Sequence, residues 1–129
     1  MSLLLTSICL LYINGIWDFV SSISILLTLA TERTRYIADA HLGLWIRPED
    51  RDNQAAVILM SALLMQWCWT RICAGMDPVN RWQDAAYTYW LEASLVGVTA
   101  AYGRMHVWPS VAVVFLCIGC ALIVMNPLY

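Results

Sequence analysis

Apolar residues gather into four runs along this chain, and most charged residues lie between the runs. The runs cover residues 3–30, 55–75, 85–103 and 107–125. A helix needs about 20 mostly apolar residues to cross the hydrocarbon core of a bilayer, and each run is near that length or longer. The pattern therefore predicts an all-α integral membrane protein with four transmembrane helices, in which residues 1–129 form a single domain.

The first run is longer than one membrane crossing requires. It has no basic residue before it and no small-residue cleavage site, so we expect a retained, tilted or kinked helix rather than a removed signal peptide. The segment after it, 31–54, is polar and holds four of the seven arginines and five of the nine acidic residues. Apolar residues recur within this loop at a spacing compatible with a short helix on the membrane surface: Ile37, Ala40, Leu44 and Trp45.

The arginines determine the expected orientation, because the chain contains no lysine. Four arginines lie in the 31–54 loop, and Arg104 lies in the turn after the third run. Basic residues concentrate in the loops on the side from which a protein is inserted. The 31–54 loop is therefore expected on the cytoplasmic side of the membrane, or on the insertion side if the protein lies in an organelle inner or thylakoid membrane.

Composition removes several classes of function. Hydrophobic residues make up 61% of the chain and charged ones 12%, against about 45–50% and 25% in soluble domains. A net charge of −2 gives no basic surface for nucleic acid, and the absence of lysine excludes Schiff-base chemistry. The expected partners are the lipid bilayer and other integral membrane proteins.

Five cysteines within the apolar runs are expected to act in packing rather than in disulfides or metal binding: Cys9, Cys68, Cys73, Cys117 and Cys120.

Three ionisable residues lie inside the apolar runs: Asp18, Arg71 and Glu92. Such residues are costly in a membrane and usually face the interior of a helix bundle. Arg71 and Glu92 are at similar expected depths on either side of the turn between the second and third runs, which predicts that they pair. Arg71 could instead extend to the membrane surface and meet Asp77 or Asp84.

Polar residues of the first run recur at spacings that keep them on one helical face. Because lipid cannot satisfy polar groups, this face should point into the bundle or towards a partner. Hydrogen bonding between helices is the expected role, and a proton or ion relay through Asp18 and Glu92 is the alternative. The face consists of Ser7, Asn14, Asp18, Ser21 and Ser22.

Small residues recur every fourth position in the third run, at Ala93, Gly97 and Ala101. Such a stripe allows another helix backbone to approach closely. We therefore expect these residues to form a helix-packing seam, either within the chain or between molecules.

No catalytic arrangement is recognisable, so we expect no enzymatic activity, no catalytic residues, no metal site and no required cofactor. A bound lipid or pigment is compatible with the composition. In that case Asn14, Glu92 and His106 are the candidate contacts, since side chains of these types can act as pigment ligands. His41 and His106 are expected to be surface residues, because metal-binding histidines usually have closer spacing.

Three segments resemble the ergosterol biosynthesis protein 28 family. They are "SICLLYINGIWDFV" with Asn14, "TRICAG" with Arg71, and the Tyr102–Gly103 pair before a fourth span. Of the family's residues, Asn14 and Arg71 carry over by position. The resemblance implies a small four-span protein of the endoplasmic reticulum, which acts as a non-catalytic scaffold and tethers the enzymes of sterol C-4 demethylation.

The leading hypothesis is therefore a scaffold or accessory subunit that binds partner membrane proteins. One alternative is an accessory subunit of a respiratory or photosynthetic complex, in contact with lipid or pigment. A further alternative is a small transporter or channel that uses Asp18 and Glu92.

Overall fold

A computed structural model of the protein describes residues 3–30, 54–103 and 106–126, which form four helices and no strand. The predicted surface helix lies outside the described residues. The described helices are α1 (Leu3–Ala30), α2 (Gln54–Met76), α3 (Pro78–Ala101) and α4 (Val107–Val124). The predicted all-α class is confirmed, and the bounds of α1, α2 and α4 agree with the predicted runs to within one residue.

The predicted boundary between the second and third runs is wrong. The long turn expected before residue 85 is absent, because α3 already begins at Pro78 and only Asp77 separates it from α2. Proline suits the first position of a helix, where its fixed φ angle is helical and its missing N–H would have no partner. The Asp77 carboxylate also accepts a hydrogen bond of 2.9 Å from the Asn80 amide, which holds the junction.

The end of α3 also differs from the expectation. The helix stops at Ala101, and the aromatic–glycine pair that follows forms the turn. Gly103 has a φ angle of 70°, in the left-handed region that glycine adopts without a steric penalty. This pair therefore ends the third helix rather than belonging to it.

Three of the four helices are long and apolar enough to cross a membrane. The qualifying segments are Leu3–Leu27, Val57–Met76 and Val107–Val124. The fourth helix, α3, is less apolar, because Asn80, Arg81, Gln83 and Asp84 occupy its first two turns and Glu92 its middle. These lengths and compositions agree with an integral membrane protein, and the crossing of α3 remains a prediction.

Neighbouring helices run antiparallel, with α1 packed mainly on α2 and α3 mainly on α4. Near one end, the Ser7 hydroxyl donates to the Ile123 carbonyl over 3.2 Å. Near the other end, Ser22 Oγ lies 2.9 Å from both the hydroxyl and the carbonyl oxygen of Ser61. The main buried cluster contains several small residues, which permit close helix packing in a membrane: Leu11, Ala74, Ala85, Tyr89, Ala93, Cys117, Ala121 and Val124.

Helices α1 and α2 approach each other closely at Gly15. A Cβ atom added there would lie 2.8 Å from Ile72 Cγ1 and 3.3 Å from the Cys68 carbonyl oxygen. The predicted seam on α3 is looser: Ala93 is buried, a Cβ at Gly97 would meet only Val114 Cγ2 at 3.9 Å, and Ala101 is exposed. Glycine is therefore needed on α1 rather than along the whole α3 stripe.

We expect Gly15→Ala to lower the free energy of unfolding by about 1–3 kcal/mol, because the added methyl group overpacks the contact between α1 and α2. Gly119→Ala is the matched control, since no atom lies within 4 Å of a Cβ added there and alanine favours a helix over glycine by about 1 kcal/mol. Unfolding of both variants in detergent is the measurement. Equal stability of the two variants would contradict the close packing at Gly15.

Candidate functional site

The candidate site is centred on Arg71, whose side chain is buried between three helices. Arg71 is only 2% exposed. Nη1 donates to Asp18 Oδ2 on α1 over 2.6 Å, and Nη2 donates to Glu92 Oε2 on α3 over 2.5 Å. Nε donates to Thr88 Oγ1, also on α3, over 3.1 Å. One guanidinium group on α2 thus connects both neighbouring helices.

The ion pair expected between Arg71 and Glu92 is present, although α3 begins seven residues earlier than predicted and the two residues therefore do not lie at similar depths. With α3 starting at Pro78, Glu92 lies about 21 Å along α3 from the turn, whereas Arg71 lies about 9 Å along α2. Helical side chains lean towards the N-terminus of their own helix. Because α2 and α3 are antiparallel, Arg71 leans away from the turn and Glu92 leans back towards it, so the two long side chains converge.

Two aromatic rings pack against the guanidinium group. Arg71 Cζ lies 4.1 Å from the centre of the Tyr89 ring and 5.6 Å from that of the Trp67 ring. The faces of aromatic rings attract cations, and the attraction is stronger where water is excluded. The rings therefore help to hold the arginine charge inside the bundle, beyond what the two carboxylates contribute.

Hydrogen bonds extend this cluster to α4. The Asn14 amide donates to the Tyr89 hydroxyl over 2.8 Å and contacts Cys120 Sγ at 3.8 Å. On α3, the Thr88 hydroxyl accepts from Arg71 and donates to the Ala85 carbonyl over 2.8 Å. All four helices thus contribute to one network around Arg71, which ties their positions together.

The polar face of α1 points into the bundle, which is one of the two predicted orientations; the other was towards a partner. Of its five residues, Asn14 meets Tyr89, Asp18 meets Arg71, and the two serines at the ends meet other helices. The Ser21 hydroxyl is buried without a hydrogen-bond partner among the described residues. Hydrogen bonding between helices is therefore the observed role of this face.

The charges of the cluster do not balance formally, because two carboxylates face one guanidinium. Taking charges into a nonpolar interior costs several kcal/mol per ion unless they are paired and hydrogen-bonded. The Asp18 side chain is 4% exposed and the Glu92 side chain 20% exposed. The arrangement can fasten three helices together, and Glu92 is the carboxylate that reaches the outside of the bundle.

The three candidate ligand contacts do not form one site. Asn14 and Glu92 are occupied by Tyr89 and Arg71, whereas His106 is exposed just before α4 and takes no part in the network. Among the residues that the structure describes, no group of three His, Cys, Asp or Glu side chains could hold a metal ion. His41 lies outside the described residues.

Sequence reasoning missed the partner of Asp18 and the lining of the cluster. Thr88 and Tyr89 precede Glu92 by four and three residues, and Trp67 precedes Arg71 by four. Residues at these spacings share a helix face, so this signal was present in the sequence. The contact between Asp18 and Arg71 depends instead on how α1 packs on α2, which Gly15 permits.

The Ser22–Ser61 contact provides a test of packing between α1 and α2 away from the charges. We expect Ser22→Ala to lower the free energy of unfolding by about 1 kcal/mol, because it strands part of a buried hydrogen-bonded pair. Ser94→Ala is the control, since Ser94 is exposed and bonds only its own helix, through the Trp90 carbonyl. An equal loss in both variants, measured by unfolding in detergent, would contradict the contact.

The described residues define a class of protein: helices without strands, three of them long and apolar enough to cross a membrane, organised around a buried arginine with two carboxylates. No protein-family model, curated protein or solved structure matches the chain.

Proposed function

We propose that this chain is a small integral membrane protein that binds partner membrane proteins, as a scaffold or accessory subunit without catalytic activity of its own. The observation that carries the proposal is the closed network around Arg71. Its guanidinium group is bonded to Asp18, Glu92 and Thr88 of the same chain. A charged group used in this way positions helices.

The outer surface supports the same proposal. Large apolar side chains cover it, among them Trp108 at 82% exposure, Phe115 at 71% and Leu116 at 67%. Such a surface suits lipid or the apolar face of another helix. Partners would be reached inside the bilayer, and the polar 31–54 segment would provide the contact on the water side.

The resemblance described above suggests a specific form of the proposal, a scaffold for sterol-synthesising enzymes in the endoplasmic reticulum. Asn14 and Arg71, the two positions that carry over, would then act by holding the bundle together: Asn14 bonds Tyr89, and Arg71 packs on the same ring. The other form is an accessory subunit of a respiratory or photosynthetic complex in an organelle membrane.

The test is affinity purification in a gentle detergent, followed by mass spectrometry. We expect a defined set of membrane proteins to be retained, and their identity distinguishes sterol enzymes from a respiratory or photosynthetic complex. Two surface variants locate the contact: Trp108→Ala with Phe115→Ala on α4, and Ile13→Ala with Ile16→Ala on α1. One pair should lose the partners while the other keeps them. Retention of nothing beyond what an unrelated four-helix protein retains would overturn the proposal.

A second candidate function is proton or ion transport. It is favoured by the composition of the cluster, in which two carboxylates share one guanidinium group and the Glu92 side chain is partly exposed. Flux through liposomes that contain the purified protein is the measurement, with Glu92→Gln as the variant and Asp77→Asn as the control outside the cluster. Flux that Glu92→Gln abolishes and Asp77→Asn preserves would favour transport over the scaffold.

A further inference from the structure

A groove of about 280 Å³ lies between α2 and α3, on the side of the bundle near the Asp77 turn. Its inner wall includes Trp67 and Thr88, which also contact Arg71. The groove thus extends from the polar start of α3 towards the charged cluster without reaching Arg71 itself. Its volume is near the lower end of small-molecule sites, which span about 300–1,000 Å³.

Two opposite charges line the groove, at Arg81 and Asp84 on α3. Both side chains are exposed, and neither forms an ion pair within the described part of the chain. They contrast with Asp18 and Glu92, which are both bound to Arg71. Arg81 and Asp84 are one helical turn apart, and neither has an ion-pair partner among the described residues. Together they complement a ligand that carries both signs of charge.

Aromatic and amide groups complete the lining. Trp67, Trp69 and Tyr87 also line the groove, and the faces of aromatic rings bind quaternary ammonium groups. Gln66 also lines it, about 15 Å along α2 from the turn, and its amide has no hydrogen-bond partner among the described residues. Since hydrocarbon cannot satisfy an amide, polar material should occupy this part of the groove.

We propose that this groove binds the headgroup of a zwitterionic phospholipid with a choline ammonium group. Arg81 binds the phosphate, for which a guanidinium group is geometrically suited. Asp84 and the aromatic rings hold the ammonium group. The volume fits a headgroup rather than a whole lipid, so the acyl chains lie outside, along the apolar surfaces of α2 and α3. Binding of this lipid does not depend on the partner-binding function proposed above.

The test uses the delipidated protein in detergent, titrated with phosphatidylcholine or phosphatidylglycerol of identical acyl chains and observed by native mass spectrometry. The unmodified protein should prefer phosphatidylcholine. Asp84→Asn should weaken phosphatidylcholine binding about tenfold and leave phosphatidylglycerol binding equal or stronger. Arg81→Gln should weaken the binding of both lipids, because both carry the phosphate.

Asp77→Asn is the matched control, because Asp77 lies at the same end of the bundle but does not line the groove. It should bind both lipids as the unmodified protein does. Since Arg81 and Asp84 are exposed, their variants should keep the unfolding temperature of the unmodified protein, and this is measured in parallel. Equal binding of the two lipids by the unmodified protein, or an Asp84→Asn variant with unchanged preference, overturns the proposal. Because no partner is present, failure here is distinguishable from failure of the scaffold function.

Discussion

Arg71→Leu is expected to lower the free energy of unfolding by about 3–5 kcal/mol, because it breaks a buried ion-pair cluster. The substitution leaves Asp18 and Glu92 facing each other inside the bundle without the cation that both of them bind. It also removes the hydrogen bond to Thr88 and the contacts with two aromatic rings. Unfolding of the purified protein in mixed detergent micelles measures the loss.

A rescue experiment separates lost charge pairing from lost packing. Neutralising both carboxylates in the same chain, with Asp18→Asn and Glu92→Gln, should restore much of the stability that Arg71→Leu removes, because no uncompensated charge then remains. Thr70 provides the control on α2: its hydroxyl bonds only its own helix, through the Gln66 carbonyl, so Thr70→Val should cost well under 1 kcal/mol. If the triple variant is as unstable as Arg71→Leu alone, the two carboxylates do not depend on Arg71.

The helices could be predicted because their signal lies in the sequence itself. Runs of apolar residues give α1, α2 and α4 almost to the residue. The start of α3 differs from the prediction because the apolar pattern places residues 76–84 between two runs, whereas Pro78 begins the helix. The first two turns of α3 are polar, so the length of the apolar run does not indicate where the helix begins. The proline at its N-terminus is the better indicator.

The site was predicted in part, for a reason that concerns helix geometry. Arg71 and Glu92 were paired from their expected depths, and the pair exists because side chains lean towards the N-terminus of each helix. Asp18 could be placed on a polar face but not assigned a partner. Its contact depends on the lateral packing of α1 against α2, which Gly15 permits and which no periodicity in the sequence specifies.

The charged residues of the described helices fall into a buried, mutually paired cluster and an exposed pair that lines the groove. Asp18, Arg71 and Glu92 satisfy one another inside the chain, whereas Arg81 and Asp84 stand apart in the groove between α2 and α3. The costly charges in the middle of the bundle therefore hold the helices in place. Among the described residues, the exposed charges near the α2–α3 turn are Arg81 and Asp84, where the proposed ligand would bind.

The second large effect is expected when both carboxylates are removed. Asp18→Leu or Glu92→Leu alone leaves Arg71 bonded to the other carboxylate and to Thr88, so each should cost less than the loss of Arg71. Glu92→Leu should be the milder change, since Glu92 is 20% exposed and Asp18 only 4%. The double variant strands Arg71 as a buried cation without any anionic partner, which should cost about 3–5 kcal/mol.

The informative quantity is the sign of the coupling in this double-mutant cycle. A single shared cation makes the double loss larger than the sum of the two single losses, because the second substitution removes the last counter-ion. Two carboxylates that acted independently would give additive losses. Two carboxylates that mainly repelled each other would each stabilise the bundle when removed. Unfolding of the four proteins of the cycle therefore decides whether Arg71 holds α1 and α3 together, because only a shared cation makes the combined loss exceed the sum.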